Sequence, residues 1–146
     1  MHDFPVYGLD RQLLARHVLL RALEGTLMKL VVTSQGPSMQ SAVDPRFGRA
    51  AFLAVIDTDT GAFSALGNSV NANAAQGAGI QAGKRVVELG VDALITGHVG
   101  PKAFATLKTG NVAIYTGAGG TVAEAVEQFK AGKLKTAESA DVEGHW

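Results

Sequence analysis

The sequence predicts an α/β domain in which a mixed sheet of about five strands is covered by helices on both faces. Residues 52–57 and 62–66 are rich in β-branched and aromatic side chains, and a short turn containing Gly separates them. This pattern is typical of an antiparallel hairpin. From residue 79 onward, apolar strand-like runs alternate with amphipathic helical stretches. Such alternation indicates parallel strands joined by crossover helices, so the hairpin and the parallel strands together make a mixed sheet.

Composition indicates a single domain and excludes several kinds of chemistry. The 146 residues are 47% hydrophobic, which is enough to bury a core. The chain has 13 basic and 13 acidic residues, so no broad positive field favours nucleic acid or an anionic membrane. The absence of cysteine excludes disulfides and thiolate-ligated clusters. No apolar run approaches the roughly 18 residues of a membrane span. We therefore expect no membrane association and a cytoplasmic location.

The chain divides into an N-terminal extension (residues 1–27), an α/β domain (28–134) and a polar C-terminal tail (135–146). In the extension, Asp10 is placed to cap a helix. Its apolar residues recur at three- and four-residue spacing: Leu13, Leu14, Val18, Leu20 and Leu23. Two interpretations stay open, a docking or dimerising helix and a tail that arises from an upstream start codon or was added artificially. The protein is expected to be a monomer or a weak dimer.

Inside the domain, residues 30–33 form a strand, and residues 34–49 form a long polar loop of the kind that often carries function. The later elements are a helix over 79–90, a strand over 91–95, a helix over 101–107, a strand over 112–115 and a helix over 121–129. Pro101 suits the first turn of its helix. Thr121 and Glu124 have the three-residue spacing of a capping box, which predicts where the last helix begins.

Three glycine-rich helix starts follow apolar segments and are the main clue to function: residues 71–83, 96–102 and 116–121. The first N–H groups of a helix have no helical acceptor, and the positive end of the helix dipole lies beside them. In open α/β sheets, ligands bind beyond the carboxyl ends of the strands, where all three helix starts are expected. The sequence therefore predicts one shared edge that binds an anion.

The candidate binding residues at this edge are cationic side chains, amides and backbone glycines: Arg46, Arg49, Asn71, Gln76, Gly77, Gly79, His98, Lys102, Gly117 and Gly119. His98 stands between glycines, which favours a donor or metal-ligand role over a bond to its own turn. Lys102 opposes the helix dipole unless an anion is near, and a solvated surface lysine is an equal alternative. Arg49 is also placed to pair with Asp44 or Asp57. The amides can instead shape the loop.

Catalytic chemistry has little support at this edge, and we expect the protein not to be an enzyme. His98 has no obvious acid–base partner beside it, and there is neither a P-loop nor a complete dinucleotide fingerprint. Asp57 and Asp59 flank the hairpin turn, where turn aspartates exposed to solvent are favoured over a two-carboxylate metal site. A phosphate-handling hydrolase stays open as a less favoured alternative.

Four motifs, taken together, resemble the nitrogenase iron–molybdenum cofactor biosynthesis accessory family: residues 44–49, 75–81, 97–103 and 120–126. The resemblance covers the domain and leaves the extension outside. It implies a ribonuclease-H-like three-layer fold without nuclease activity, and binding of a molybdenum-containing metal–sulfur cluster. The start at 28–35, the ending at 141–146 and the lack of cysteine resemble one branch of the family. That branch implies a mixed molybdenum–copper sulfide held without covalent attachment.

The resemblance also implies P-loop ATPase partners and a role linked to cell division. A protein-interaction module that regulates such an ATPase is therefore the main alternative to a cluster carrier. The lack of cysteine agrees with the carrier, because an anionic thiomolybdate–copper species brings its own sulfide ligands. The protein then needs only hydrogen-bond donors, positive potential and apolar walls.

Overall fold

The computed structural model describes residues 28–68 and 77–137. The described strands are β1 (Lys29–Ser34), β2 (Phe52–Asp57), β3 (Phe63–Gly67), β4 (Ala93–Ile95), β5 (Ala113–Thr116) and β6 (Lys135–Thr136). The described helices are α1 (Ala78–Glu88), α2 (Pro101–Thr109) and α3 (Val122–Lys130). The helix predicted in the N-terminal extension lies outside the described residues. None of the described helices is long and apolar enough to cross a membrane.

The strands form one mixed sheet in the order β3-β2-β1-β4-β5-β6. β1, β4 and β5 are parallel, whereas β2, β3 and β6 join by antiparallel pairing. The predicted α/β class, the hairpin and the mixed sheet are thus confirmed. The sheet has one strand more than the expected five. The added strand, β6, consists of two residues from the stretch that was predicted as a polar tail. A polar strand this short has no hydrophobic periodicity from which it could be predicted.

Helices cover both faces of the sheet, as predicted. α3 lies on one face, which we call the α3 face, and α1 and α2 lie on the other. β1 sits between the two layers, so Leu30 and Val32 are buried against the α3 face while Val31 is buried against the opposite layer. A central strand covered on both sides has to be apolar throughout, which explains why its sequence shows a continuous run rather than an alternation.

Small residues let α1 and α2 approach each other closely. A Cβ built on Gly79 would lie 3.2 Å from the Cβ of Ala103, and one built on Gly83 would lie 3.1 Å from Thr106. Both helices begin at the same edge of the sheet, because one follows β3 and the other follows the parallel strand β4. Their amino ends are therefore neighbours.

Tyr115 of β5 is buried under α3, where its ring meets Phe129 edge to face at a centroid separation of 5.0 Å. Burial raises the pKa of Tyr115 from 10.0 to about 12, and a hydrogen bond with Thr136 partly offsets this shift. Desolvation penalises the phenolate, so the folded protein holds the phenol proton more tightly than the unfolded chain does.

This raised pKa predicts a loss of stability at high pH. Stability from Tyr115 is fully present below pH 10 and is lost as pH rises through about 12, by roughly 3 kcal/mol in total. Urea unfolding of the wild type and Tyr115→Phe across this window measures the effect. Other groups that titrate in this window are the same in both proteins. The difference between the two free energies of unfolding therefore reports the Tyr115 phenol alone. If the free energies of unfolding of the two proteins fell in parallel with pH, the raised pKa of Tyr115 would be contradicted.

Candidate functional site

The carboxyl ends of the parallel strands meet at one edge of the sheet, which we call the site edge. β1, β4 and β5 end there and lead into residues 35–51, 96–100 and 117–121. β3 also ends at this edge, because Gly67 pairs with Phe52 and Phe52 pairs with Ser34. The convergence predicted from the sequence is therefore present among the described residues.

The long loop after β1 is held across the site edge by backbone pairing. Val43 bridges to Ser34 and donates to Gly120 O at 2.9 Å. Further along, Arg46 bridges to His98, whose N–H donates to Pro45 O at 2.8 Å. The loop thus links the turn before α3 to the exit of β4, and its backbone hydrogen bonds fix where its charged side chains start.

A buried polar cluster ties this loop to the strands below it. The Thr33 hydroxyl donates to Asp44 O at 2.7 Å and lies 2.8 Å from the Thr96 hydroxyl. Thr33 and Thr96 are both fully buried. A buried hydroxyl without a partner is costly, so this mutual pairing specifies the relative position of β1, β4 and the loop.

Two glycines let the loop come close to the neighbouring chain. A Cβ on Gly97 would lie 2.6 Å from the Cα of Pro45, and a Cβ on Gly48 would lie 2.7 Å from the backbone nitrogen of Gly79. Neither position has room for a larger residue. The loop is therefore packed directly against the exit of β4 and the first turn of α1.

The amino ends of α1 and α2 have no side-chain cap and no acidic residue in the first turn. Their first helical bonds are Gln81 N to Gly77 O and Phe104 N to Gly100 O. Within 28–68 and 77–137, no acceptor is found for the preceding N–H groups: those of Ala78, Gly79, Ile80, Lys102 and Ala103. Because the two helix ends are neighbours, these donors and two dipole ends make one donor-rich patch.

The four cationic candidates near this patch differ in their exposure and in their pairing with the rest of the protein. His98 and Lys102 are exposed, and Lys102 occupies the second position of α2, behind Pro101. Arg46 is engaged by the protein itself, since its Nε lies 3.5 Å from the Asp44 carboxylate and its backbone N–H donates to the same oxygen at 3.1 Å. Asp44 is only 3% exposed and offsets the Arg46 charge. Arg49 is half-buried and has partners of its own.

The third helix start differs from the prediction. Thr121 and Glu124 form a capping box at the start of α3, so the expected cap is confirmed and the helix end is satisfied internally. The backbone N–H of Gly117, which was predicted to donate to a guest, donates to Gly97 O at 3.1 Å. The Glu124 carboxylate also places negative charge beside this turn. Gly119 is exposed at the same turn. Of the three helix starts, those of α1 and α2 are therefore the two without a side-chain cap.

Several predicted residues stay apart or outside. Asn71 and Gln76 lie outside the described residues. Asp57 ends β2 at the opposite edge of the sheet, where its carboxylate accepts from Asp59 N at 2.9 Å and Thr60 N at 3.2 Å. The favoured interpretation of turn aspartates is thus confirmed. Across the described ranges no group of three His, Cys, Asp or Glu residues could hold a metal ion.

Sequence reasoning missed Lys135. It was assigned to the tail, but β6 pairs it with Thr116, at the carboxyl end of β5. Tyr115 and Thr136 share the α3 face, and side chains alternate along a strand, so Lys135 faces the α2 side of the sheet. Only the two-residue pairing reveals this, and no pattern in the polar sequence could have.

The model of the dinitrogenase iron–molybdenum cofactor family matches residues 28–132, which is more than half of the chain. This chain belongs to that family. It is similar to the orange protein of Desulfovibrio gigas, solved in its apo form, with 35% identity, a TM-score of 0.77, and coverage of 80% of this chain and 98% of that one. This agrees with the branch that the sequence motifs indicated.

Two further relatives extend the comparison. A Thermotoga protein of the DUF35 family is 35% identical with a TM-score of 0.70, and the match covers 80% of this chain and 99% of that one. An uncharacterized protein of Methanocaldococcus jannaschii is 24% identical over 119 residues, which are 80% of this chain and 98% of its relative.

Proposed function

We propose that this protein binds and carries an anionic molybdenum-containing metal–sulfur cluster without covalent attachment, and that it is not an enzyme. The cluster is cargo, and the mixed molybdenum–copper sulfide implied by the resemblance is the specific guest we propose. The observation that carries the proposal is the pair of adjacent, uncapped helix ends of α1 and α2 at the site edge.

The donor set fits such a guest. Backbone N–H groups, dipole ends and the Lys102 ammonium all favour negative charge, and they can bond to sulfide or oxide ligands that the cluster already carries. The chain has no cysteine, and the described residues hold no metal-ligating cluster. A bare metal ion would therefore find few ligands here, whereas a complete anionic cluster needs only donors and charge.

Family membership supports the broader choice of a molybdenum-containing guest. The family is described by the dinitrogenase iron–molybdenum cofactor, and the orange protein of Desulfovibrio gigas was solved in an apo form. Hydrolase chemistry has less support, because Asp57 and Asp59 lie at the opposite edge from Asp44. A phosphate-handling hydrolase with two metals would require such carboxylates to converge.

We further propose, on the resemblance alone, that delivery of the cluster involves a P-loop ATPase partner and serves a role linked to cell division. If the chain were instead only an interaction module, it would bind that ATPase equally well with and without the cluster. Measuring ATPase affinity for the loaded and empty protein distinguishes the two, since equal affinities favour the module and unequal affinities favour the carrier.

The first experiment is a titration of the metal-free protein with tetrathiomolybdate and copper(I), followed by desalting. Molybdenum and copper that elute with the protein, together with visible charge-transfer absorption, would support a non-covalent site. If all colour and metal separate from the protein on desalting, the carrier proposal fails.

Replacing Lys102 or His98 tests the position of the site. We expect Lys102→Ala and His98→Ala each to weaken cluster retention about threefold to tenfold, because each removes a group that favours an anion near the helix ends. Competitive retention on a desalting column measures the change. Lys108→Ala is the matched control, since it removes the same charge from the last turn of the same helix. Unchanged retention in both site variants would place the cluster elsewhere.

A further inference from the structure

β3 is an edge strand, and one side of its backbone faces away from the sheet. The hydrogen bond from Asp57 N to Ala62 O shows which residues of the ladder direct their backbone toward β2, and every second residue does so. The backbones of three residues of β3 therefore point outward: Phe63, Ala65 and Gly67. Among the described residues, no hydrogen-bond partner is found for the outward N–H and C=O groups of Phe63 and Ala65.

This edge lacks the features that usually prevent pairing with another strand. Natural edge strands are protected by charged side chains, proline, bulges or short length. Residues 62–68 contain no charged residue and no proline, and β3 pairs with β2 without a bulge. The opposite edge of the described sheet, β6, has only two residues, whereas β3 has five. β3 is therefore the described edge at which another strand has room to pair.

The charged groups near this edge have opposite signs at its two ends. At the Gly67 end, Arg85 of α1 donates from Nη1 to the outward carbonyl of Gly67 at 2.6 Å. At the Phe63 end lies the hairpin turn, which carries Asp57 and the exposed Asp59. An identical strand that pairs antiparallel would bring its basic end beside the acidic turn, and its own turn beside the basic end. The edge is therefore complementary to itself in charge, whereas parallel pairing would bring like charges together.

We propose that β3 pairs antiparallel with β3 of a second copy of this chain, so that one sheet runs through a twofold dimer. Pairing over all five residues puts Ala65 opposite the partner's Ala65, and these two residues exchange two backbone hydrogen bonds. Phe63 then lies opposite the partner's Gly67, where an aromatic ring can cover the glycine. The Gly67 carbonyl accepts from Arg85 with one lone pair and retains a second for the partner's Phe63 N–H.

The proposed contact is small, so we expect a weak dimer. It consists of one pair of five-residue strands, which buries less area than a stable interface does. We expect a dissociation constant of about 0.1–1 mM. Because β3 runs toward the site edge, antiparallel pairing places the two site edges at opposite ends of the joined sheet. The proposal is therefore independent of what binds at the helix ends.

Ala65→Pro in the full chain tests the pairing directly. Ala65 directs its N–H away from β2, so proline removes no hydrogen bond between β3 and β2. It does remove a donor of the dimer, and its ring occupies the outward side of the strand. Sedimentation equilibrium of the metal-free protein from about 10 µM to 1 mM measures the association. We expect the wild type to dimerise and Ala65→Pro to dimerise about tenfold more weakly, with an unchanged circular dichroism spectrum.

A charge swap provides a second test that leaves the backbone of β3 intact. We expect Arg85→Glu and Asp59→Lys each to weaken dimerisation about threefold to tenfold, because each brings like charges together across the contact. The double variant is expected to dimerise nearly as well as the wild type, since opposite charges then meet again. Lys84→Glu is the matched control, because it makes the same charge change at the neighbouring exposed position of α1. We expect it to leave dimerisation unchanged.

Three results would overturn the proposal. A wild type that stays monomeric over the whole concentration range would show that β3 does not take a second copy. Dimerisation that a folded Ala65→Pro variant retains in full would place the contact on another surface. If both charge variants dimerised as the wild type does, or if the double variant recovered nothing, the antiparallel arrangement would be wrong. Cluster retention is measured separately, so the two proposals fail independently.

Discussion

Gly97→Ala is expected to destabilise the protein by about 2–4 kcal/mol, because the added methyl group has no room. A Cβ at this position would lie 2.6 Å from Pro45 Cα and 2.8 Å from both Pro45 Cβ and Pro45 O. Two of these atoms are backbone, so the loop itself has to move. That movement would strain the hydrogen bond from His98 N to Pro45 O. Urea unfolding monitored by far-ultraviolet circular dichroism measures the loss.

Gly119→Ala is the matched control for this substitution. Gly119 follows the next strand at the same edge, and a Cβ there would meet nothing within 4 Å. We expect its stability to stay within about 0.5 kcal/mol of the wild type or to rise slightly, since alanine restricts the unfolded chain. Equal effects at Gly97 and Gly119 would show that the loop does not press on the exit of β4 in solution.

Phe129→Ala is expected to have the second large effect, about 3–5 kcal/mol. Phe129 is 1% exposed at the end of α3, and its ring packs edge to face on Tyr115 with an interplanar angle of 81°. Removing the ring leaves a cavity between α3 and the sheet and exposes apolar surface on β5. Urea unfolding measures the change in the free energy of unfolding, with one common slope of free energy against urea concentration for all variants.

Phe129→Leu separates volume from ring geometry. The leucine retains much of the apolar burial but loses the aromatic pair, which is worth about 0.5–1.5 kcal/mol beyond its area. We therefore expect a loss of about 1–2 kcal/mol, well below that of Phe129→Ala. If Phe129→Ala cost less than about 1 kcal/mol, α3 would not be packed on Tyr115 as the structure shows.

The elements predicted well are those whose sequence signals are local. The hairpin strand at 52–57, Pro101 at the start of α2 and the capping box of Thr121 and Glu124 all rest on side chains within a few residues of each other. Residues 30–33 were assigned as a strand, and β1 extends this by one residue on each side. Such boundary differences are usual, because strand ends depend on pairing partners distant in sequence.

The parts of the site that escaped prediction depend on tertiary pairing. The N–H of Gly117 donates to Gly97 O, and Lys135 pairs with Thr116. Both contacts follow from the order of the strands in the sheet, which no local sequence pattern encodes. The ion pair between Arg46 and Asp44 was also not predicted. Asp44 was expected instead as one of two possible partners of Arg49. The convergence of the α1 and α2 starts at one edge of the sheet was predictable, because helix starts that follow strand ends meet at the same edge in an open α/β sheet.

Under the proposed function, the close packing of α1 and α2 would link the abundance of this protein to the supply of its guest. Gly79 and Gly83 hold two helices side by side with their positive ends together, so the two dipole ends repel each other and a bound anion would relieve that repulsion. An anion that binds only the folded state adds about 2.7 kcal/mol at a hundredfold excess over its dissociation constant. Cellular proteases remove the less stable molecules first. We therefore expect empty copies to be degraded faster than loaded ones, so that the pool of carrier follows the amount of cargo.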